Sequence, residues 1–495
     1  MSGVETASAL ALHLSSQKAS SQPGSTHEVH HICTRPFWTV PYYVPHPPAS
    51  DPATPSNFLP LDLAFYDLDR RPPGPVEYGF GPISGSQASK TNAYFRGLLG
   101  RDYEEIGSVG VPTASDTVEG VVPSWVAIGD DYAEYVRAGT IKTTLGRVST
   151  IIRDKNGTTT VNIERDHHST VSLDQVGAIV LATGFTPYAS LSFLPADVLS
   201  RLEHCKADPS IPLILDGKGT SHAEIPELGF VGFYRGPYWG VMEMQARSLG
   251  EMWFRAGQGM RPSDEELAQK EQERQKVREL RAADPRFNRA QFPMGDYVGL
   301  MESFARDLGI ERTPLADLGE RRGPVVPARY LGRGDASSQA DLALSALRGT
   351  LSPEGGYSVG VAAAVFRALH GTWKFSRTHT SDDTRDVQTG EFTLYPRYPS
   401  GDCDKEYVGE QVEDTPDRRT RTIYQLGGSR ICIFSEDSAG HSRLELHFPP
   451  GLSAEGEDLV CSSCAGEYTY KFRFSGVVIS SWERITEQTR TVYTR

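Results

Sequence analysis

The residues of this chain whose types and spacing could do chemistry mostly suit phosphate and dinucleotide binding. Ser2-Gly3 opens an apolar-periodic stretch, "SGVETASALALHL". Glycine there lets a helix pack closely on a strand, and the helix N-terminus can then receive a pyrophosphate. Taken alone, the same pair before a helix is only an N-cap. Arg35 ends the next strand-like run, "HEVHHICTR", where a basic side chain meets the 2′-phosphate that separates NADP from NAD. Thr183-Gly184 closes "VGAIVLATGF", a run expected as a buried strand. Gly184, lacking Cβ, would let backbone pass close to a cofactor, or simply make a tight turn.

Other candidates carry less. Cys461-x-x-Cys464 stands without a second cysteine pair, so metal or redox chemistry is not the favoured reading. The histidines of "HEVHH" and "DHH" lack helical ligand spacing and are expected on exposed strand ends, and no metal site is expected. Gly371-x-Trp373 matches the start of a lipocalin-like barrel, whose Trp plugs one end against an Arg of the last strand. Arg490 or Arg495 could supply that Arg, although a strand Trp is also ordinary core.

These residues need elements to hold them. Residues 4–15 read as a helix with Val4, Ala7, Ala11 and Leu14 on one face, followed by a Ser/Gly/Pro loop and the strand that ends near Arg35. "GDDYAEYVRAG" reads as a short helix stopped by Gly139, and "GRVSTIIRDKNGTTTVNIE" as a hairpin turning at Asn156-Gly157. "LGFVGFYRGPYWGVMEMQARSLGEMWFRAG" reads as a buried strand, a Gly-rich turn and a helix. A charged helix with a Ser263–Glu266 capping box follows, its charges read as a solvated face. Residues 323–362 are expected as a linker. Beyond it, short alternating strands predict an antiparallel barrel over 363–495.

Composition bounds the partners. The 495 residues are 38% hydrophobic and 23% charged, with mean hydropathy −0.39. Such a chain holds two or three domains. A formal net charge of −13 argues against nucleic acid or an anionic membrane as partner. Six cysteines are too few for a disulfide framework, which points to a reducing, cytoplasmic setting. No apolar run reaches the length of a membrane span.

Taken together, "ICTRPFWTVPYYVP", "PSWVAIGDDYAEYVRAGTI", "IVLATGFTPY" and "LGFVGFYRGPYWGVMEMQARSLGEMW" resemble the flavin-containing monooxygenase family, in the form found in fungi, over most of residues 1–260. The resemblance implies FAD and NADP as cofactors, an oxidoreductase built from two dinucleotide-binding (Rossmann) domains, Thr183 and Gly184 near flavin, and Gln245 and Arg247 at the start of the closing helix. The family's first G-x-G-x-x-G turn is absent, and its NADP turn survives only as Ser2-Gly3. The fold class expected for residues 1–322 is therefore an incomplete, N-terminally truncated α/β unit, its cofactor binding doubtful and its monooxygenase activity absent in this chain. "FRALHGTWKFSRTHTS" and the closing "RTVYTR" resemble a fungal C-terminal domain of unknown function, implying a calycin-like barrel. Its alternative role is a carrier of a small apolar ligand on a non-catalytic scaffold.

Overall fold

A computed structural model describes residues 2–20, 27–46, 57–112, 121, 123–165, 169–208, 210–234, 239–283, 296–315, 322–332, 334, 337–351, 357–379, 387–414, 419–435, 443–448, 454–455 and 458–495. The "DHH" motif lies outside these residues.

The front region runs α1 (Ser2–Ser20), β1 (Val29–Cys33), β2 (Phe37–Val40), β3 (Tyr43–His46), β4 (Asn57–Pro60), α2 (Leu61–Phe65), α3 (Gly85–Leu99) and α4 (Arg101–Gly107). It continues through β5 (Ser108–Val109), β6 (Trp125–Ile128), α5 (Tyr132–Arg137), β7 (Ile141–Leu145), β8 (Arg147–Arg153), β9 (Thr159–Glu164) and β10 (Thr170–Leu173). Helix α1 buries Val4, Ala7 and Ala11 along one face, in a cluster with Phe37, Tyr132, Tyr135 and Ile141. Strand β1 pairs in parallel with β7, and β2 in parallel with β6. These two short ladders are the parallel content among the described residues, so the front is mixed α/β with small sheets. The β8–β9 hairpin forms as expected, but its turn differs. Only Gly157 has positive φ, and the Asp154 carboxylate accepts from the Asn156 and Thr158 amides to close a longer loop.

One expectation is overturned here. Residues 177–185, "GAIVLATGF", are extended but pair with no strand among the described residues, and Leu181 and Phe185 are 82% and 93% exposed. The apolar run is that of a core strand, yet among the described residues none of the four small sheets of the front region pairs with it. Residues 228–234 likewise form no strand, although Phe230 and Tyr234 are buried.

A helical layer follows: α6 (Ala196–Arg201), α7 (Trp239–Gly257), α8 (Asp264–Ala282) and α9 (Tyr297–Leu308). Their core joins Val241, Met244, Val277, Leu280, Met301 and Phe304 to the buried run Ile211–Leu215. The Ser263–Glu266 capping box is present at the start of α8. One side of α8 is docked rather than solvated, because buried Arg274 pairs with fully buried Asp216.

The stretch expected as a linker carries two helices, α10 (Ser337–Leu351) and α11 (Tyr357–Ala368). Leu344, Leu347 and Leu351 of α10 pack on Leu59 of β4, and Val361, Val365 and Phe366 of α11 enter the barrel core.

The barrel strands are β11 (Gly371–His379), β12 (Gln388–Arg397), β13 (Lys405–Glu413), β14 (Arg419–Gly427), β15 (Arg430–Ser435), β16 (Arg443–His447), β17 (Ala454–Glu455), β18 (Asp458–Ser463), β19 (Thr469–Ser475), β20 (Val478–Ile485) and β21 (Thr489–Thr494). Each pairs antiparallel with the next except β16, which pairs with β18 rather than β17, and β21 returns to β11. The result is a closed ring of ten strands, with β17 an outlier on β18. Closure removes the sheet edges that would otherwise invite other strands. Strands β13 and β18 are not among those that alternation predicts.

Barrel and front region are welded together. Ser15 Oγ of α1 donates to the Pro396 carbonyl of β12 at 2.5 Å, and Phe58 of β4 belongs to the barrel core. Fully buried Glu134 of α5 pairs with Arg367 of α11 at 2.5 Å.

Candidate functional site

Five of the seven residues expected to bind a cofactor line one open cleft of about 2290 Å³: Ser2, Gly3, Arg35, Thr183 and Gly184. Each is there for a local reason. Helix α1 begins beside β1 because Gly3 permits it; a Cβ at Gly3 would lie 2.7 Å from His31 Nε2. His31 Nδ1 is 2.6 Å from the Tyr132 hydroxyl, and the His31 ring packs on those of Phe37 and Tyr132. Burial lowers the His31 pKa to about 4, so the imidazole under the helix N-terminus is neutral near pH 7. The exposed strand end expected for this histidine is thus corrected. Its aromatic neighbours come from β2 and α5, which spacing within "HEVHH" does not reveal.

Arg35 follows β1 and is exposed, its guanidinium 5.6 Å from the centre of the Trp125 ring. Trp125 opens β6, the parallel partner of β2, so the turn after β1 and the start of β6 share one rim of the cleft. Thr183 and Gly184 also line the cleft, the latter at φ +82° with nothing within 4 Å of where a Cβ would stand. The wall they belong to is apolar: Ile179, Val180, Leu181 and Phe185 all line the cleft while exposed.

Gln245 and Arg247 lie elsewhere. Gln245 Oε1 accepts from the Gly232 amide at 2.9 Å, and Arg247 reaches the Tyr330 carbonyl at 2.6 Å and Glu243 at 2.6 Å. Gln245 falls on the buried stripe of α7 with Val241, Met244 and Leu249. Both side chains hold α7 to its surroundings.

The barrel end bearing Trp373 is closed. Trp373 is fully buried, its indole N–H donates to the Leu369 carbonyl at 2.8 Å, and Arg495 lies over its ring. Of the two arginines considered, Arg495 fills this role; Arg490 pairs with Glu483 on the surface. The interior is occupied by rings, with Trp482 and Tyr493 stacked at 3.6 Å and Phe392, Phe472 and Tyr470 around Trp482. Beyond the rings, Arg377, Thr491 and Arg484 stand side by side on β11, β21 and β20. Arg377 pairs with Glu413 at 3.4 Å. Arg484 has no carboxylate partner among the described residues. Burial opposes its charge, but the nearby hydroxyls of Tyr493, Tyr470 and Tyr424 outweigh burial and raise its pKa.

Among the described residues no helix is long and apolar enough to cross a membrane. Compared with known protein families and with curated proteins, the chain finds no match.

Proposed function

We propose that the front region is a nicotinamide-dinucleotide-binding module of the flavin-dependent monooxygenase type, without turnover of its own. The observation that carries this reading is the convergence of Ser2-Gly3, Arg35 and Thr183-Gly184 on one cleft. The residues fit NADP(H) in two respects. The N-terminus of the 19-residue helix α1 offers its first-turn amides and the positive end of the helix dipole to a pyrophosphate. Arg35 offers a guanidinium to a 2′-phosphate at the same rim. When bound, the nucleotide would supply a hydride, and this chain's residues would hold its phosphates.

They do not fit FAD. Thr183 and Gly184 sit on an unpaired segment, and among the described residues no glycine-rich strand-to-helix turn faces them. The test is titration of the purified protein with NADPH and NADH, read through quenching of tryptophan fluorescence. NADPH should bind more tightly than NADH, and Arg35→Ala should remove the preference, a loss of roughly tenfold for one charge-assisted contact. Equal affinities in the wild type, or no binding, would sink the reading.

A second reading, a barrel that carries a small ligand, is favoured by Arg484. A charged guanidinium in a barrel without a carboxylate partner suits a small carboxylate or phosphate at the polar end. Stacked rings fill the space beneath, so a long apolar chain would have no room. Arg484→Leu should abolish binding of such an anion without affecting NADPH.

A further inference from the structure

The two cysteines of the Cys461-x-x-Cys464 motif do not converge, and their separation exposes a different cluster. Cys461 points into the barrel core and is 2% exposed, whereas Cys464, just past the end of β18, lies on the outside. The seam where β16 meets β18 places new neighbours beside it. Leu446 pairs with Ser463 and His447 with Ser462. The next step of that register sets Glu445 opposite Cys464, and the Cys464 amide donates to the Glu445 carbonyl at 3.1 Å. Leu446 faces the core, so Glu445 and His447 share the outer face with Cys464. His447 Nε2 lies 3.0 Å from Glu445 Oε1, and the carboxylate, imidazole and thiol ligand atoms all lie within 4.8 Å of one another.

We propose that Glu445, His447 and Cys464 form a divalent-metal site of the zinc class that bridges the seam of the barrel. This proposal is independent of the dinucleotide reading. One thiolate, one imidazole and one carboxylate are a soft-to-borderline donor set that suits Zn²⁺ rather than Ca²⁺ or Mg²⁺. Three protein ligands leave the fourth tetrahedral position to water. Metal–ligand bonds of about 2.0–2.3 Å put the ligand atoms of a tetrahedral site roughly 3.3–3.8 Å apart. The cluster therefore needs to contract by less than about 1.5 Å, which side-chain rotation at the exposed His447 and Cys464 can supply. Arg430, next to His447 on β15, now holds Glu445 Oε1 at 3.0 Å, where it already answers the charge that a cation would meet. It is half exposed and free to swing away.

The location gives the site a role. Among the described residues the β16–β18 ladder has two register pairs, whereas β12–β13 has eight. Ligands on both sides of this ladder would staple β16 to β18. Metal that binds only the folded ring stabilises it by mass action.

The test uses the full chain, stripped with a chelator and dialysed against Zn²⁺ or Co²⁺ alone. The expected result is one zinc per chain and, with cobalt, tetrahedral visible bands with a sulfur-to-cobalt charge-transfer band. Cys464→Ser and His447→Ala should each weaken zinc binding roughly tenfold or more, and Cys464→Ser should erase the charge-transfer band. Cys403→Ser, at the β12–β13 turn, should change neither. Both ligands are exposed, so folding of these variants is checked by circular dichroism. Arg430→Ala should tighten binding by removing a cation that competes for Glu445. Failure of the wild type to take up micromolar zinc, or full affinity in Cys464→Ser and His447→Ala, would overturn the site. Binding that leaves hydrogen exchange along β16 and β18 unchanged would overturn the staple.

Discussion

The guanidinium of Arg495 lies 4.0 Å from the centre of the Trp373 ring and donates to the carbonyls of Ala368 and His370. One side chain thus covers the plug of the barrel and satisfies carbonyls at the end of α11 and just beyond it. A cation–π contact and two charge-assisted hydrogen bonds all go with it. Arg495→Ala should cost about 3 kcal/mol in urea unfolding followed by tryptophan fluorescence. Arg495→Lys should recover part of that, since an ammonium keeps the charge but not the planar fork. A loss under about 1 kcal/mol in Arg495→Ala would show that the contact is incidental.

Acid should weaken the fold through His370. This histidine sits between the rings of Tyr135 and Tyr407, and burial lowers its pKa to about 3. The unfolded chain takes up its proton near pH 6.5 while the folded one does not. Stability is therefore full above about pH 6.5 and is lost as pH falls from there toward 3, by up to about 1.4 kcal/mol per pH unit. His31, lowered to about 4 by burial, acts in the same direction. Replacing His370 with Gln should make the acid limb of a stability–pH curve shallower by one proton. An unchanged slope would place the titration elsewhere.

The join between front region and barrel turns on Glu134. It is fully buried and paired with both Arg137 and Arg367, each at 2.5 Å, and Arg367 also bonds the Val477 carbonyl. Its carboxyl is held below the usual range: burial raises the pKa, and the arginines more than offset it. Glu134→Gln leaves two arginines without their counter-charge and should cost about 3–5 kcal/mol. Calorimetry should then separate the front and barrel transitions. A single transition with an unchanged midpoint would show that the pair does not weld the two.

Leu181 offers the opposite case. It is 82% exposed on the cleft wall with no strand beside it among the described residues, so Leu181→Asp should change stability by no more than about 0.5 kcal/mol. The same change should lower binding of an apolar fluorescent dye, because it breaks the patch formed with Ile179, Val180 and Phe185. Loss of stability without loss of dye binding would mean that the segment is packed in solution.

Much of the barrel is legible in the sequence because alternation reports one buried face. Trp373, Phe375 and Phe392 point inward while Lys374 and Glu391 point out, and their strands fall where spacing puts them. Strand β13 escapes because both of its faces are covered. Tyr407 faces the core, but Val408 and Glu406 on the other side are also buried, and Lys405 is tied to Asp130 and Asp131 of the front region. Residues 177–185 show the converse: sequence tells that a segment is apolar enough for a core, not that a partner strand exists. The pairing of Ser2-Gly3 with Arg35 is readable from order along the chain. The cluster of Glu445, His447 and Cys464 is not, since it depends on the register at which the ring closes.

Two glycines mark a close backbone approach between the front region and the barrel. Gly100 ends α3 at φ +89°, and Gly476 turns between β19 and β20 at φ +60°. A Cβ on Gly476 would lie 2.3 Å from the Leu99 carbonyl carbon, and one on Gly100 would lie 2.6 Å from the Ser475 carbonyl oxygen. Between them the Val477 amide donates to the Leu99 carbonyl at 3.0 Å, capping α3 with the barrel hairpin. Both the positive φ and the backbone contact exclude a side chain, and neither neighbour can rotate away. Gly476→Ala should therefore cost at least about 2 kcal/mol, well above the roughly 1 kcal/mol of a left-handed residue alone. If the measured loss stays near that smaller figure, α3 and the hairpin can separate without harm. A larger loss, with faster amide exchange at Val477, identifies this contact as a second weld beside Glu134–Arg367.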